Sequence, residues 1–181
     1  MKGICIHTPG PEGRLVSMEL PVPKPASGEV LIRTAYAGVN RADLFQKQGN
    51  YRVPEGDSPL PGLEISGTIE AFGEDVRGWR VGEEVCALVN GGGYAEYCVA
   101  PAAQCLPVPE GLSLRQAAAL PEACFTVWMC LVQEAHLRAG ETLLVHGGAS
   151  GIGTMAIQIA RTLGARGYVT AGTAGQCTAG V

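Results

Sequence analysis

The stretch ETLLVHGGASGIG (141–153) decides the fold of this chain. Its apolar residues 142–146 predict a strand, and the glycine-rich turn that follows opens a helix predicted over 152–163, with Gly164 as its C-cap. A second strand is predicted over 168–171, which makes a parallel β-α-β crossover. Such a turn holds a pyrophosphate with backbone N–H groups and the helix N-terminus.

The glycines of this loop follow the pattern G-x-x-G-x-G, and each has an expected role. Gly148 is expected to make the tight turn, Gly151 to let backbone approach a phosphate, and Gly153 to let the helix pack closely on the strand. Ser150 adds a hydroxyl that can bond a phosphate oxygen, and Ile152 opens the predicted helix. An ordinary strand-to-helix turn is the alternative, but the flanking strands and helix favour nucleotide binding.

The end of the second predicted strand indicates which dinucleotide is bound. An NAD site usually places an acid there for the ribose 2′-hydroxyl, whereas residues 170–174 read TAGTA. A neutral, hydroxyl-rich turn accepts a 2′-phosphate that an acid would repel. We therefore expect NADPH, with Gly172, Thr173 and Gln176 beside it. Gln176 stands where a lysine would strengthen the preference.

The first 110 residues have a β-like pattern. Short apolar segments, at 2–7, 14–20, 29–38, 64–73, 84–89 and 94–100, predict a compact barrel or sandwich. Asn40 is expected to cap a helix over 41–48 that Gly49 ends, and Ser113 with Gln116 to form a capping box for a helix over 114–120. A further helix is predicted over 122–136. The domains are predicted as 1–120 and 121–181.

Composition excludes several function classes. The chain has 181 residues, 46% hydrophobic and 17% charged, which indicates a globular protein, and its net charge of −4 argues against nucleic acid as a partner. Its seven cysteines contain no C-x-x-C pair, so we expect reduced, mostly buried thiols, including Cys124 and Cys130, in a cytoplasmic protein. No apolar run is long enough for a membrane span, and no secretory signal is expected.

Five segments together carry a resemblance to a known family: GVNRADLFQKQGNY (38–51), PGLEISGTIEAFG (61–73), NGGGYAEY (90–97), LPEACFTVW (120–128) and VHGGASGIGTMAIQIARTLGA (145–165). The chain resembles the medium-chain dehydrogenase/reductase superfamily, in its zinc-independent quinone oxidoreductase (zeta-crystallin-like) family, and within it the p53-inducible quinone oxidoreductase-like branch. The resemblance implies α/β plus β architecture: a GroES-like β-barrel catalytic domain followed by a Rossmann domain, incomplete here, that binds NADPH.

The resemblance also implies the activity and the site. Zinc-dependent relatives carry a cysteine near Asn40 and a histidine near Leu63, so no metal is expected. Glu64 is expected to be a structural or hydrogen-bonding acid rather than a catalytic one. Quinones or activated enones accept a hydride without a Lewis acid. Asn40 is expected to point its amide at the nicotinamide or substrate carbonyl, or simply to cap its helix. Tyr51 would contact a planar substrate or be a plain loop aromatic, and Thr126 would bond the cofactor or its own helix.

Three hypotheses on function follow. The first is an NADPH-dependent reductase of quinones or enones, and the relatives' homodimers imply a homodimer for the full-length form. The second is a truncated, catalytically impaired form with a non-catalytic or partner-binding role, because a lone β-α-β lacks much of the adenosine pocket; such a chain is expected to bind NADPH poorly. The third is RNA binding, which the acidic balance disfavours.

Overall fold

The computed structural model describes residues 1–179, with side chains described as far as Gln176. The chain forms two compact units, one from Met1 to Glu122 and one from Ala123 onward. They are described separately below. The domain division at residue 120 stays a prediction.

The first unit is built from antiparallel strands. They are β1 (Lys2–His7), β2 (Arg14–Glu19), β3 (Glu29–Ala37), β4 (Glu64–Phe72), β5 (Glu84–Leu88), β6 (Tyr97–Pro101) and β7 (Cys105–Pro107). Strands β1 and β2 form a hairpin, and the others form a five-stranded sheet in the order β6-β3-β4-β5-β7. Strand β7 is not predicted from the sequence, because it has only three residues and ends in a proline. A strand that contains proline is tolerated at an edge, where β7 lies.

The core of this unit lies on one face of the five-stranded sheet. Its largest fully buried side chains include Val30, Ile32, Ile65, Ile69 and Val85, contributed by β3, β4 and β5. Burying a branched aliphatic side chain contributes roughly 1.5–3 kcal/mol, so this cluster is the main source of the unit's stability. The rigid ends of β3 and β4 carry the polar side chains described below.

Short helices join the strands of the first unit. Helix α1 spans Arg41–Lys47 and α2 spans Leu114–Ala117, and a single 3-10 turn lies at Ala102–Gln104. Gly49 follows α1 with a φ of +77°, as predicted for a glycine that ends a helix. The predicted capping box is present, since the Ser113 hydroxyl accepts from the Gln116 N–H and the Gln116 side chain accepts from the Ser113 N–H.

The single helix predicted over 122–136 is two segments. Helix α3 spans Pro121–Trp128, with proline at its first position, where its missing N–H costs nothing. A π-helical segment follows at Met129–Glu134. The prediction that Cys130 is buried is wrong, because residues 128–130 are exposed throughout where the helical period changes; Cys124 is half-buried.

The second unit contains the predicted β-α-β. Strand β8 (Thr142–His146) is followed by α4 (Gly151–Thr162), β9 (Arg166–Thr170) and α5 (Ala174–Ala179). Strands β8 and β9 pair in parallel, from Thr142 beside Arg166 to His146 beside Thr170. Strand β9 begins two residues earlier than predicted, because the Arg166 N–H already donates to the Glu141 carbonyl.

Candidate functional site

The N-terminus of α4 begins at the glycine-rich loop. Ser150 is its N-cap, and the Ser150 Oγ accepts from the Gly153 N–H at 3.0 Å. One N–H of the first turn is thereby satisfied, while the other first-turn groups stay available to an anion. The Ser150 hydroxyl keeps its own hydrogen and can donate it to a phosphate oxygen.

The chain turns over residues 147–150, because the Ser150 N–H donates to the Gly147 carbonyl at 2.9 Å, and Gly148 lies inside this turn as predicted. Gly147 has a φ of +75°, whereas Gly148 has no positive φ. Gly147 is therefore the residue of the turn that needs the conformational freedom of glycine. Gly148 also provides close packing: a Cβ on it would lie 2.5 Å from the Val169 Cβ.

Gly153 and Gly151 of the loop have opposite surroundings. A Cβ on Gly153 would lie 2.6 Å from the Gly148 Cα, so only glycine lets the helix approach the loop this closely. A Cβ on Gly151 would meet no atom within 4 Å, so its backbone faces open space. Ile152, between them, has an exposed side chain.

Thr170, at the end of β9, supports the loop in a way that the sequence analysis missed. Its Oγ1 accepts from the Gly147 N–H at 3.3 Å, and its carbonyl accepts from the Gly148 N–H at 2.9 Å. The same Oγ1 lies 3.2 Å from the His146 Nδ1. From the sequence, Thr170 counted only as part of a neutral, hydroxyl-rich turn, and nothing in its spacing indicated this support.

The predicted 2′-phosphate turn is exposed and contains no acid. The Thr173 Oγ1 accepts from the Gln176 N–H at 3.3 Å, and the Gln176 Oε1 accepts from the Gly172 N–H at 3.1 Å. The structure thus brings Gly172, Thr173 and Gln176 together. The Thr173 hydroxyl hydrogen remains to be donated, whereas the Gly172 N–H becomes available only when the Gln176 side chain moves.

Asn40 occupies the N-cap position of α1, where Asp43 holds its backbone. The Asp43 Oδ2 accepts from the Asn40 N–H at 2.7 Å, and the Asn40 side chain faces the Asp43 N–H as in a capping box. Asp43 is buried and also accepts from the Gly62 N–H at 3.1 Å and the Tyr94 hydroxyl at 2.7 Å. Asp43 therefore joins α1 to two loops that are distant in the sequence.

Glu64, at the start of β4, receives the Asn40 amide. The Glu64 Oε1 accepts from the Asn40 Nδ2 at 2.9 Å, and its Oε2 accepts from the Glu122 N–H at 3.0 Å. Burial raises the pKa of Glu64, and the Asp43 charge adds to the rise, while the two hydrogen bonds lower it. Burial likewise raises the pKa of Glu122, with the charges of Glu64 and Asp43 adding to it.

Tyr51 lines a cleft of about 290 Å³ within the first unit. Leu63 and the half-buried Glu122 line the same cleft. The rest of its wall is mixed, with apolar and polar side chains that include Val53, Pro54, Leu88, Val89, Gln46, Asp57, Ser58 and Asn90. The Tyr51 side chain is 38% exposed, so it can contact a planar molecule entering the cleft. Thr126 lies half-buried on α3.

Among the side chains that the structure describes, residues 1–176, no group of three or more histidine, cysteine, aspartate or glutamate residues is placed to hold a metal ion. Cys98 and Cys105 are buried, and burial raises the pKa of each thiol to about 12, so both stay protonated and unreactive at neutral pH. None of the helices that the structure describes has the length and apolar character needed to cross a bilayer.

Comparison with known proteins now identifies the family. A family model, the alcohol dehydrogenase GroES-like domain, matches residues 26–110. The quinone oxidoreductase of Sus scrofa is 36% identical over 165 residues, which are 91% of this chain and 50% of that protein. The chain belongs to the medium-chain dehydrogenase/reductase superfamily.

Other members of the superfamily agree with this assignment. The synaptic vesicle membrane protein VAT-1 homolog of Danio rerio is 39% identical over 150 residues, 82% of this chain and 31% of that protein. The quinone oxidoreductase from Thermus thermophilus, solved also in complex with NADPH, has a TM-score of 0.78 at 34% identity, over 97% of this chain and 55% of that one. The chain therefore spans half or less of these curated relatives' length, and its first unit is the GroES-like domain of the superfamily.

Proposed function

We propose that the protein reduces quinones or activated enones with NADPH and without zinc. The observation that carries this proposal is the loop at the start of α4, where Gly148 and Gly153 are closely packed while the Gly151 backbone faces open space. The residues present fit a dinucleotide pyrophosphate, because a side chain at 151 would fill the space that the loop leaves open. NADPH, when bound, supplies a hydride to a carbonyl or conjugated acceptor.

The chain's own groups have separate tasks in this proposal. The first-turn N–H groups of α4 and the Ser150 hydroxyl bind the pyrophosphate. The exposed Thr173 hydroxyl donates to a 2′-phosphate, and no acid in the turn opposes that charge. Thr126 is proposed to bond the nicotinamide half.

The substrate is proposed to enter the cleft of the first unit. Tyr51 would stack on or bond a planar quinone there, beside the apolar side chains of Val53 and Leu88. Independence from zinc is supported by the side chains at the positions that the resemblance singles out. Leu63 has no ligand atom, and the Asn40 amide nitrogen is bonded to Glu64. The homodimer and the cytoplasmic location expected from the sequence belong to the same proposal.

Titration with NADPH and with NADH, up to millimolar concentration, tests the proposal by nucleotide fluorescence. Turnover of a naphthoquinone is followed by loss of NADPH absorbance. Saturable binding that favours NADPH, together with turnover, is expected. Gly151→Ala is expected to weaken NADPH binding by roughly tenfold or more, because its methyl group occupies the open approach. Gly167→Ala makes the same change in open space on β9 and serves as the control.

Absence of saturable binding and of turnover would contradict the proposal. That result would favour the alternative of a catalytically impaired, partner-binding protein. Equal effects of the two glycine variants would show that the loop does not contact the nucleotide.

A further inference from the structure

Glu64 sits in a space that exists only because residue 38 is glycine. A Cβ on Gly38 would overlap the Glu64 carboxyl group and lie 2.5 Å from its Cδ. The Gly38 N–H also donates to the Glu64 carbonyl at 3.1 Å, which extends the pairing of β3 with β4. The backbone that carries Asn40 and the carboxyl group of Glu64 are therefore held against each other.

Both oxygens of this buried carboxyl group are engaged by donors from different elements. Oε1 accepts from the Asn40 side chain, and Oε2 accepts from the Glu122 N–H in the first turn of α3. That N–H is one of the helix donors without a partner inside its own helix, so it suits an anion. Glu64 thus binds the start of two helices at once.

The Glu64 carboxylate also determines which way the Asn40 amide points. A carboxylate only accepts hydrogen bonds, so the nitrogen of the amide, and not its oxygen, must face Glu64. The amide oxygen faces the Asp43 N–H, and the Asp43 carboxylate holds the Asn40 backbone. One Nδ2 hydrogen is left over, in an orientation that the protein fixes in advance.

We propose that Glu64 is a positioning residue that acts through Asn40, fixing the amide so that its second Nδ2 hydrogen is offered as a ready hydrogen-bond donor to a carbonyl oxygen of the bound molecules. This inference rests on the proposed function for the identity of that carbonyl, which belongs either to the quinone or enone or to the nicotinamide carboxamide. It gives a specific task to an acid that was expected to be structural or hydrogen-bonding rather than catalytic. Preorganised donors of this kind act without a reorganisation cost when charge develops on a carbonyl.

Glutamine at position 64 cannot reproduce this arrangement. The Asn40 amide and the Glu122 N–H are both donors, whereas a glutamine side chain offers one accepting oxygen and one donating nitrogen. In one case the NH₂ group of Gln at position 64 faces the Glu122 N–H. In the other case that NH₂ group faces Asn40, whose amide turns over and presents its oxygen to it. The second outcome moves the donor–donor contact to the Asp43 N–H and reverses the polarity that Asn40 offers.

The first experiment needs no cofactor. Side-chain amide signals are recorded by ¹⁵N–¹H NMR, and Asn40→Ala assigns the Asn40 pair by its disappearance. Hydrogen exchange of this pair is expected to accelerate roughly tenfold or more in Glu64→Gln, as for loss of a bond to a charged group. Glu70→Gln, the same change at an exposed position of β4 that pairs with Arg33, is the control and is expected to leave it unchanged.

Unchanged exchange in a folded Glu64→Gln would overturn the proposal. If that variant does not fold, cross-relaxation between the Asn40 NH₂ and the Glu64 side-chain protons in the unmodified chain decides instead, and its absence would be equally damaging. Either measurement is independent of nucleotide binding.

The second experiment asks whether Glu64 acts through Asn40. NADPH affinity and the quinone KM and kcat are compared for the unmodified chain, Asn40→Ala, Glu64→Gln and the double variant. Glu64→Gln is expected to lower affinity or turnover only where Asn40 is present. A loss in NADPH affinity places the carbonyl on the cofactor, and a loss confined to quinone kinetics places it on the substrate.

Equal losses in both backgrounds would show that Glu64 does not work through Asn40. If the unmodified chain neither binds NADPH nor turns over a quinone, the proposed function fails. The NMR measurement then still decides whether Glu64 fixes the amide.

Discussion

Replacing Gly148 with alanine tests whether the loop and β9 are packed as the structure has them. The added Cβ would lie 2.5 Å from the Val169 Cβ and 2.8 and 2.9 Å from its two methyl carbons. Ordinary carbon contacts are about 3.5–4.0 Å, so β9 or the loop must move by about 1 Å. Because the three nearest atoms are the whole Val169 side chain, no rotamer change relieves the overlap. Overpacking of this kind costs about 1–3 kcal/mol.

Amide hydrogen exchange measures the loss of stability that Gly148→Ala causes in the second unit. Exchange of the β8, α4 and β9 amides in Gly148→Ala is expected to be roughly 5- to 150-fold faster, which corresponds to the same free-energy range. Gly167→Ala is the matched control, because its Cβ meets nothing within 4 Å and alanine is favoured over glycine in a strand by up to about 1 kcal/mol. Exchange as slow in Gly148→Ala as in Gly167→Ala would refute the packing argument.

Three further predictions concern the contacts of Asp43, Glu64 and Glu122 in the first unit. Gly38→Ala should displace the Glu64 carboxyl group, lowering the free energy of unfolding in urea by about 1–3 kcal/mol and removing the slow exchange of the Asn40 amide. Tyr94→Phe should lower the same free energy by about 1.5–3 kcal/mol, since Asp43 loses one bond to a charged acceptor; no loss would exclude that bond. Glu122→Gln should raise the free energy of unfolding at about pH 7 and leave it unchanged below about pH 4. Folding raises the pKa of Glu122, so the folded state holds this proton more tightly than the unfolded state, and the carboxyl group destabilises the fold only as pH rises. A gain that persists in acid would contradict this sign.

The second unit was predictable because its signals are local. An apolar strand, a glycine turn and an amphipathic helix each occupy consecutive residues, so the β8-α4-β9 order and parallel pairing follow from the sequence. The turn that contains Gly148 was predictable for the same reason, but a pattern of glycines does not say that Gly147 is the loop residue with the positive φ. The hydrogen bond from Gly147 to Thr170 was not predicted, because a hydroxyl 23 residues away in the chain has no local signature.

The site of the first unit was predictable only in part. Asn40 and Glu64 were singled out by resemblance, and the helix-capping position of Asn40 by its own residue type. Their bond joins residues 24 apart, and the bonds from Asp43 to Gly62 and Tyr94 span 19 and 51 residues. No periodicity relates such positions, because the sheet brings them together. Asn40 could therefore be nominated from the sequence, but the direction of its amide could not.

Asp43 holds the backbone of Asn40 and Glu64 holds its side-chain amide, and this difference indicates why two acids lie beside Asn40. Burying two carboxylates near each other costs stability, and the Asp43 charge adds to the rise in the Glu64 pKa. Asp43 offsets its cost with three donors that also connect α1 to the rest of the unit, so it is accounted for by folding. Glu64 has two donors, one of them the amide whose orientation matters to a bound carbonyl. If stability were the only requirement, a neutral, well-packed side chain at position 64 would serve as well. The charge of the Glu64 carboxylate is explained if the direction of the Asn40 amide has to be fixed before the substrate or cofactor binds.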